Sequence, residues 1–321
     1  MPLDSAVESL IAGLAEQGFT SFEKIGLEPT RQVIETFVQL QKPPEDVAEV
    51  IDARYGDHPE QAVRLYVPEG DGPFPVVVYF HGGGFVGGGL DVVEEPCRAL
   101  ANDTGALVVA ATYRRAPEAR FPAATDDTFA ALRWSFASVA EHRGDPERIA
   151  VMGDSAGGYL AAVAAVRARD AGLPALRAQV LVYPLIDPVA DTAPQGVRRG
   201  LRHPPRRPEV VRRTVHRLAG AVTDPWLAVN RTPSLENLPP ALILTNEYDT
   251  LRDEAEDYGR RLAAAGVETT VSRFDGMVHG VYWMSAAIPR QKEYRDAISA
   301  FLKDRLAPDG RRGTVSPELA T

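Results

Sequence analysis

Arg148-Ile149-Ala150-Val151-Met152-Gly153-Asp154-Ser155-Ala156-Gly157-Gly158-Tyr159 decides the fold. A β-forming run leads without a break into a glycine-rich turn, and the helical pattern of Tyr159–Arg169 follows it. A strand-to-helix turn this tight needs Gly153 and Gly157, because a Cβ at either place would clash where the backbones approach. The turn lifts the Ser155 hydroxyl above the sheet, at the start of a helix whose dipole favours negative charge. Strand, GxSxG and helix together make a nucleophile elbow.

The flanking sequence repeats the same alternation. Upstream, Ala62–Val67, Pro75–Phe80 and Ala106–Ala111 read as strands, and a helix is expected near Asp126–Val139. Downstream come strand Ala178–Tyr183, strand Ala241–Asn246, helix Glu254–Ala265, strand Thr269–Phe274 and a last helix near Gln291–Leu306. This order predicts an α/β fold with a mainly parallel sheet and helices on both faces. Residues 1–45 read as helical up to Pro43 and Pro44, residues 46–307 as the sheet-bearing domain, and residues 308–321 as a flexible tail.

Composition narrows the function. The 321 residues are 45% hydrophobic and 25% charged, which excludes disordered, collagen-like and disulfide-scaffold classes. A net charge of -9 argues against a nucleic-acid partner. No apolar run reaches membrane-spanning length, so no membrane partner is expected. The single cysteine, Cys97, and an N-terminus without a secretory pattern point to the cytoplasm. No His/Cys/Asp cluster has ligand spacing, so neither a metal nor a cofactor is implied. The basic residues are 31 Arg against 4 Lys, and 8 of these arginines fall in residues 198–217. That window reads as a solvated basic linker, as a recruitment site for an acidic ligand, or as the out-of-frame product of GC-rich codons.

A serine hydroxyl at neutral pH needs a base, and the base needs an orienting acid. Of the three histidines beyond Ser155, His203 and His216 lie in the arginine-rich window, whereas His279 follows a strand and is flanked by glycines. The acid is expected on the loop after Leu242–Thr245; Asp249 is the choice and Glu247 its rival. Asp253 and Glu254 read as first-turn residues of the following helix. His81-Gly82-Gly83-Gly84-Phe85, directly after a strand, can bare its N–H groups to an oxyanion; Gly83 and Gly84 would donate with Ala156. His81 itself is expected to brace this loop. Gly87-Gly88-Gly89 lacks the spacing of a phosphate cradle. Phe85 and Tyr183 read either as acyl-pocket walls or as plain core.

Over residues 60–300 the chain resembles the hormone-sensitive-lipase-like (GDXG) family of α/β-hydrolases, which carries paired HGGG and GDSAG signatures. Tyr113–Glu118, Phe121–Ala124 and Tyr248–Asp253 are similar too, with Arg115 where the family has Leu. The resemblance implies an α/β-hydrolase fold with a helical cap built from residues 1–45 and an insertion at about 187–225. It implies a triad of Ser155, Asp249 and His279, and an oxyanion hole lined by Gly83, Gly84 and Ala156. It implies hydrolysis of carboxylic esters with short to medium acyl chains, on a small-molecule ester or acetylated substrate. An acetyl-hydrolase of an acetylated natural product is the alternative, and a homodimer is compatible. A non-catalytic receptor on this fold would lack the histidine that stands here at 279.

Overall fold

The computed structural model describes residues 2–16, 18, 25–188 and 229–308. The arginine-rich window, nearly all of the expected cap insertion at 187–225 and the tail beyond Pro308 lie outside the described residues. Eight strands form one sheet: β1 Glu49–Arg54, β2 Ala62–Val67, β3 Phe74–Phe80, β4 Leu107–Ala111, β5 Gly144–Asp154, β6 Ala178–Val182, β7 Ala241–Tyr248 and β8 Thr269–Val278. Their order is β1-β2-β4-β3-β5-β6-β7-β8, antiparallel at β1/β2 and β2/β4 and parallel from β4 onward. Seven α-helices are found among the described residues: α1 Ser5–Glu16, α2 Leu27–Thr36, α3 Glu94–Thr104, α4 Ala123–Ser138, α5 Ala156–Asp170, α6 Arg252–Ala264 and α7 Gln291–Arg305. None is long and apolar enough to cross a membrane.

Alternation along each strand divides the core into two layers. Val76, Val78, Phe80, Ile149, Val151 and Leu181 pack against α4, α5 and α6, while Val77, Tyr79, Ala150, Met152, Val180 and Val182 pack toward α3 and α7. Both faces are therefore dry, which explains why these strands read as unbroken apolar runs. Each fully buried Val or Leu contributes about 1.5–3 kcal/mol relative to exposure.

Two elements are invisible in the sequence pattern. β1 is an edge strand in which Glu49, Val50, Asp52 and Arg54 are exposed, so the short alternation of half-buried Ile51 and Ala53 is its only mark. In α3, Glu94, Glu95 and Pro96 occupy the first turn, where a missing N–H is tolerated because it has no acceptor within the helix. β8 also runs four residues past Phe274, through Gly276 at φ 78° and the buried Met277, so the expected loop before His279 is largely strand.

The first turn of α5 lies almost against the C-terminal end of β3. A Cβ on Gly157 would stand 2.0 Å from the carbonyl oxygen of Phe80 and 2.6 Å from that of His81. Both obstacles are backbone, so no side-chain movement relieves the clash. Gly157→Ala is expected to destabilise the fold by about 3 kcal/mol or more, read as a lower thermal midpoint or loss of soluble protein. An unchanged midpoint would mean that α5 can withdraw from β3 freely.

Candidate active site

Ser155 is the residue between β5 and α5, with φ 55° and ψ -118°, a conformation that strains any residue bearing a Cβ. Its backbone is locked to the next strand: the Ser155 N–H donates to Val182 O at 2.9 Å, and its carbonyl accepts from Leu185 N at 3.0 Å and Tyr159 N at 3.2 Å. The strain is thereby held by hydrogen bonds on both sides of the turn.

The structure brings Ser155, His279 and Asp249 together from three elements far apart in sequence. Ser155 Oγ lies 2.8 Å from His279 Nε2, and His279 Nδ1 lies 2.7 Å from Asp249 Oδ2. The network assigns the tautomer: Nδ1–H donates to the carboxylate, which leaves Nε2 to accept from the serine. The second oxygen of Asp249 accepts from Leu251 N at 2.9 Å, so the buried carboxylate is held at both ends. Behind the histidine, Asn246 Nδ2 donates to Val278 O at 2.6 Å, Tyr294 OH donates to Asn246 Oδ1, and Tyr294 stacks on Phe274. Glu247, the rival acid, is turned elsewhere and accepts from Gly276 N at 2.8 Å.

Desolvation pulls the His279 pKa down, but the charge and hydrogen bond of Asp249, with the Asp154 charge behind, more than offset it and the net displacement is upward. His81 shows the opposite balance. It is fully buried, and desolvation drives its pKa down to about 4, so the ring is neutral at pH 7.

His81 braces the glycine loop as the sequence suggests. Its Nδ1–H donates to Gly82 O at 2.7 Å, its Nε2 accepts from Thr112 Oγ1 at 3.2 Å, and its ring stacks on Tyr113. Gly83 O accepts from Val86 N at 3.1 Å and from Gly87 N at 3.0 Å. The carbonyls of Gly82, Gly83 and Ser155 are thus all occupied, and each shares a rigid peptide plane with the next N–H, that of Gly83, Gly84 and Ala156. These three N–H groups have no acceptor among the described residues.

Phe85 and Tyr183 are packed as core. Phe85 meets Tyr159 edge-on, and Tyr183 lies 4.7 Å from the His279 ring while its hydroxyl accepts from Tyr282 N. Both rings are buried against internal neighbours, the arrangement that the core reading describes. Asp253 and Glu254 do stand in the first turn of α6, with other duties: Asp253 pairs with Arg252 and Glu254 accepts from Ile186 N. The turn entering α6 is closed by Asp249.

Asp154 is the residue the sequence reading left without a role. Fully enclosed at the end of β5, it accepts from Tyr79 OH at 2.5 Å and from Gly82 N at 3.1 Å, and Trp283 Nε1 donates to Tyr79 OH in turn. Desolvation raises its pKa to about 6 against the pull of these donors. A charged residue closing an apolar strand was the available signal. Among the described residues, no group of three His, Cys, Asp or Glu side chains is arranged to hold a metal.

Comparison with known proteins identifies the fold family. A family described as alpha/beta hydrolase fold matches residues 77–283. Carboxylesterase NlhH of Mycobacterium tuberculosis is 39% identical over 279 residues, 84% of this chain and 87% of that protein. Ethyl acetate hydrolase of Pseudomonas putida is 36% identical over 72% of this chain and 74% of its own length. The solved esterase of Pyrobaculum calidifontis superposes with a TM-score of 0.83 at 31% identity, covering 94% of this chain and 98% of that one.

If Asp249 is what lifts the imidazole, Asp249→Asn should make His279 titrate lower than in the parent chain, by NMR of the ring protons. An unchanged titration would assign the upward displacement to another charge.

Proposed function

The chain belongs to the alpha/beta-hydrolase fold family, in the branch marked by HGGG and GDSAG, and from that premise we propose that it is a serine carboxylesterase acting on small esters with short to medium acyl chains. The observation that carries this reading is the pair of hydrogen bonds joining Ser155 Oγ, His279 and Asp249. Names of similar proteins support the substrate class, a carboxylesterase and an ethyl acetate hydrolase among them.

In this reading Ser155 Oγ attacks the ester carbonyl carbon while its proton passes to His279 Nε2. The C=O π pair moves onto oxygen, and the N–H groups of Gly83, Gly84 and Ala156 receive the oxyanion. Their peptide carbonyls are already anchored, so little reorganisation accompanies the charge. Asp249 stabilises the imidazolium without taking its proton. The tetrahedral intermediate collapses, His279 protonates the departing alkoxide, and an acyl-Ser155 ester remains. Water, deprotonated by the same histidine, releases the carboxylic acid and restores the serine. Asp154 holds Gly82 N, and hence the glycine loop, against the elbow. Tyr183 and Phe85 support the imidazole and the loop.

A nucleophile variant, a substrate profile and a pH profile test this. Ser155→Ala is expected to lower kcat at least ~1000-fold on p-nitrophenyl acetate, in line with removal of a triad nucleophile, and to abolish labelling by a fluorophosphonate; retained hydrolysis would remove the proposal. A profile over acyl length, with an N-acetylated amine alongside, separates an esterase from an acetyl-hydrolase of amides. For pH, His279 must be neutral to act as base, and its pKa lies above the ordinary 6.5. The acid limb of kcat/KM is therefore expected to have its midpoint above pH 6.5, activity falling as pH drops through it.

A further inference from the structure

Arg31, on α2 and 55 residues from its nearest partner in the glycine loop, is tied to that loop by its backbone. Its Nε donates to Val86 O at 2.7 Å and its Nη2 to Ala116 O at 3.1 Å. Glu118 grips the guanidinium with both carboxylate oxygens, at 2.7 and 2.9 Å, and holds it charged. The helix sits so near the loop that a Cβ on Gly87 would stand 2.7 Å from Ile34 Cδ1. The same Cβ would stand 3.8 Å from Arg31 Cα, so helix and loop are in direct van der Waals contact.

What makes this contact consequential is where it leads. Val86 C=O shares a peptide plane with Gly87 N–H, and Gly87 N–H donates to Gly83 O at 3.0 Å. Gly83 C=O in turn shares its plane with Gly84 N–H. A continuous series thus runs from the guanidinium through two peptide units to an amide that has no acceptor among the described residues. A cation at one end of a hydrogen-bonded peptide series polarises every unit in the same sense, so the far N–H becomes a better donor to negative charge. The same series fixes the orientation of both planes, and an error of about 1 Å in such geometry can cost 100-fold in rate.

We propose that Arg31 is a positioning residue for the reaction: through the Val86–Gly87 and Gly83–Gly84 peptide units it aims and polarises the Gly84 N–H at the oxyanion. The proposal rests on the serine-esterase reading given above. It makes α2, which contributes no group to the chemistry, part of the oxyanion site. Arg115 provides the contrast. It donates to Gly88 O at 3.0 Å and pairs with Glu60, so it holds the same loop beyond the series.

The test compares Arg31→Ala, Arg31→Lys and Arg115→Leu with the parent, using p-nitrophenyl acetate and the affinity of an alkyl boronic acid, which forms a tetrahedral adduct on the serine. Active sites are counted by fluorophosphonate labelling to completion, so that misfolded protein is left out. Arg31→Ala is expected to lower kcat per labelled site by roughly 10- to 100-fold, less than outright loss of an oxyanion donor, with KM within about threefold. Boronate affinity should fall by the same factor as kcat/KM. Arg31→Lys should recover part of the loss, and Arg115→Leu should stay within about threefold of the parent. A kcat per site within twofold of the parent for Arg31→Ala would overturn the proposal. So would an equal loss in Arg115→Leu, which would reduce the contact to general loop support. Failure of the parent to be labelled, or hydrolysis surviving Ser155→Ala, would instead sink the esterase reading.

Discussion

The closest approach on which this molecule depends is that of two backbones: the first turn of α5 against the carbonyls that end β3. It can exist only because residue 157 has no side chain. From it follow the strained φ of Ser155, the short distance between the elbow and the glycine loop, and the reach of Asp154 to Gly82 N. Parallel pairing of β3, β5 and β6 then brings strand ends to one edge of the sheet, where loops from β7 and β8 supply Asp249 and His279. Strain at one residue persists because the surrounding hydrogen bonds overdetermine it.

Around that edge, burial is used in opposite senses on like groups. His81 and His279 are the same residue type, yet one is driven neutral by full enclosure and the other is raised by a carboxylate at 2.7 Å. The first can only be a fixed donor to Gly82 O; the second can exchange a proton near neutral pH. Asp249 and Asp154 divide similarly. Asp249 faces the imidazole, whereas Asp154 accepts from a phenol and an amide and has no basic side chain bonded to it among the described residues. Its raised pKa records an incomplete compensation for burial, which fits a role in shape rather than in proton transfer.

The core of the sheet and the hydrogen-bonded trio were legible because each has a local signature. Strand-forming runs, mostly apolar and alternating with helical segments, marked β2 through β8, and the elbow could be read from twelve consecutive residues. Asp249 and His279 were found through chemical need combined with chain order. What stayed illegible lacks a local signature. β1 is an exposed edge with charges on its outer face, and α3 opens with two glutamates and a proline. Asp154 was in plain view inside the motif, but only tertiary burial shows that its carboxylate is a structural acceptor. Phe85 and Tyr183 allowed two readings because an aromatic residue beside a site looks the same in sequence whether it faces a ligand or the core.

The abundance of arginine, 31 residues against 4 lysines, has a structural use. Arg31 joins Glu118 to the carbonyls of Val86 and Ala116; Arg169 joins Asp170 to those of Ser234 and Glu236; Arg290 joins Glu293 to that of Asp275. In each case a carboxylate holds one side of the planar fork while the other side reaches backbone distant in sequence. An ammonium group, with a single charged centre, cannot span such partners in a fixed plane. The ion pairs are half-exposed and contribute little stability by themselves, about 0–1 kcal/mol each. Their effect lies in presenting a rigid donor to a loop carbonyl, and a loop whose carbonyls are held has its N–H directions decided. At Arg31 the loop so held is the one that carries Gly83 and Gly84, whereas Arg169 holds the approach to β7 and Arg290 the end of β8.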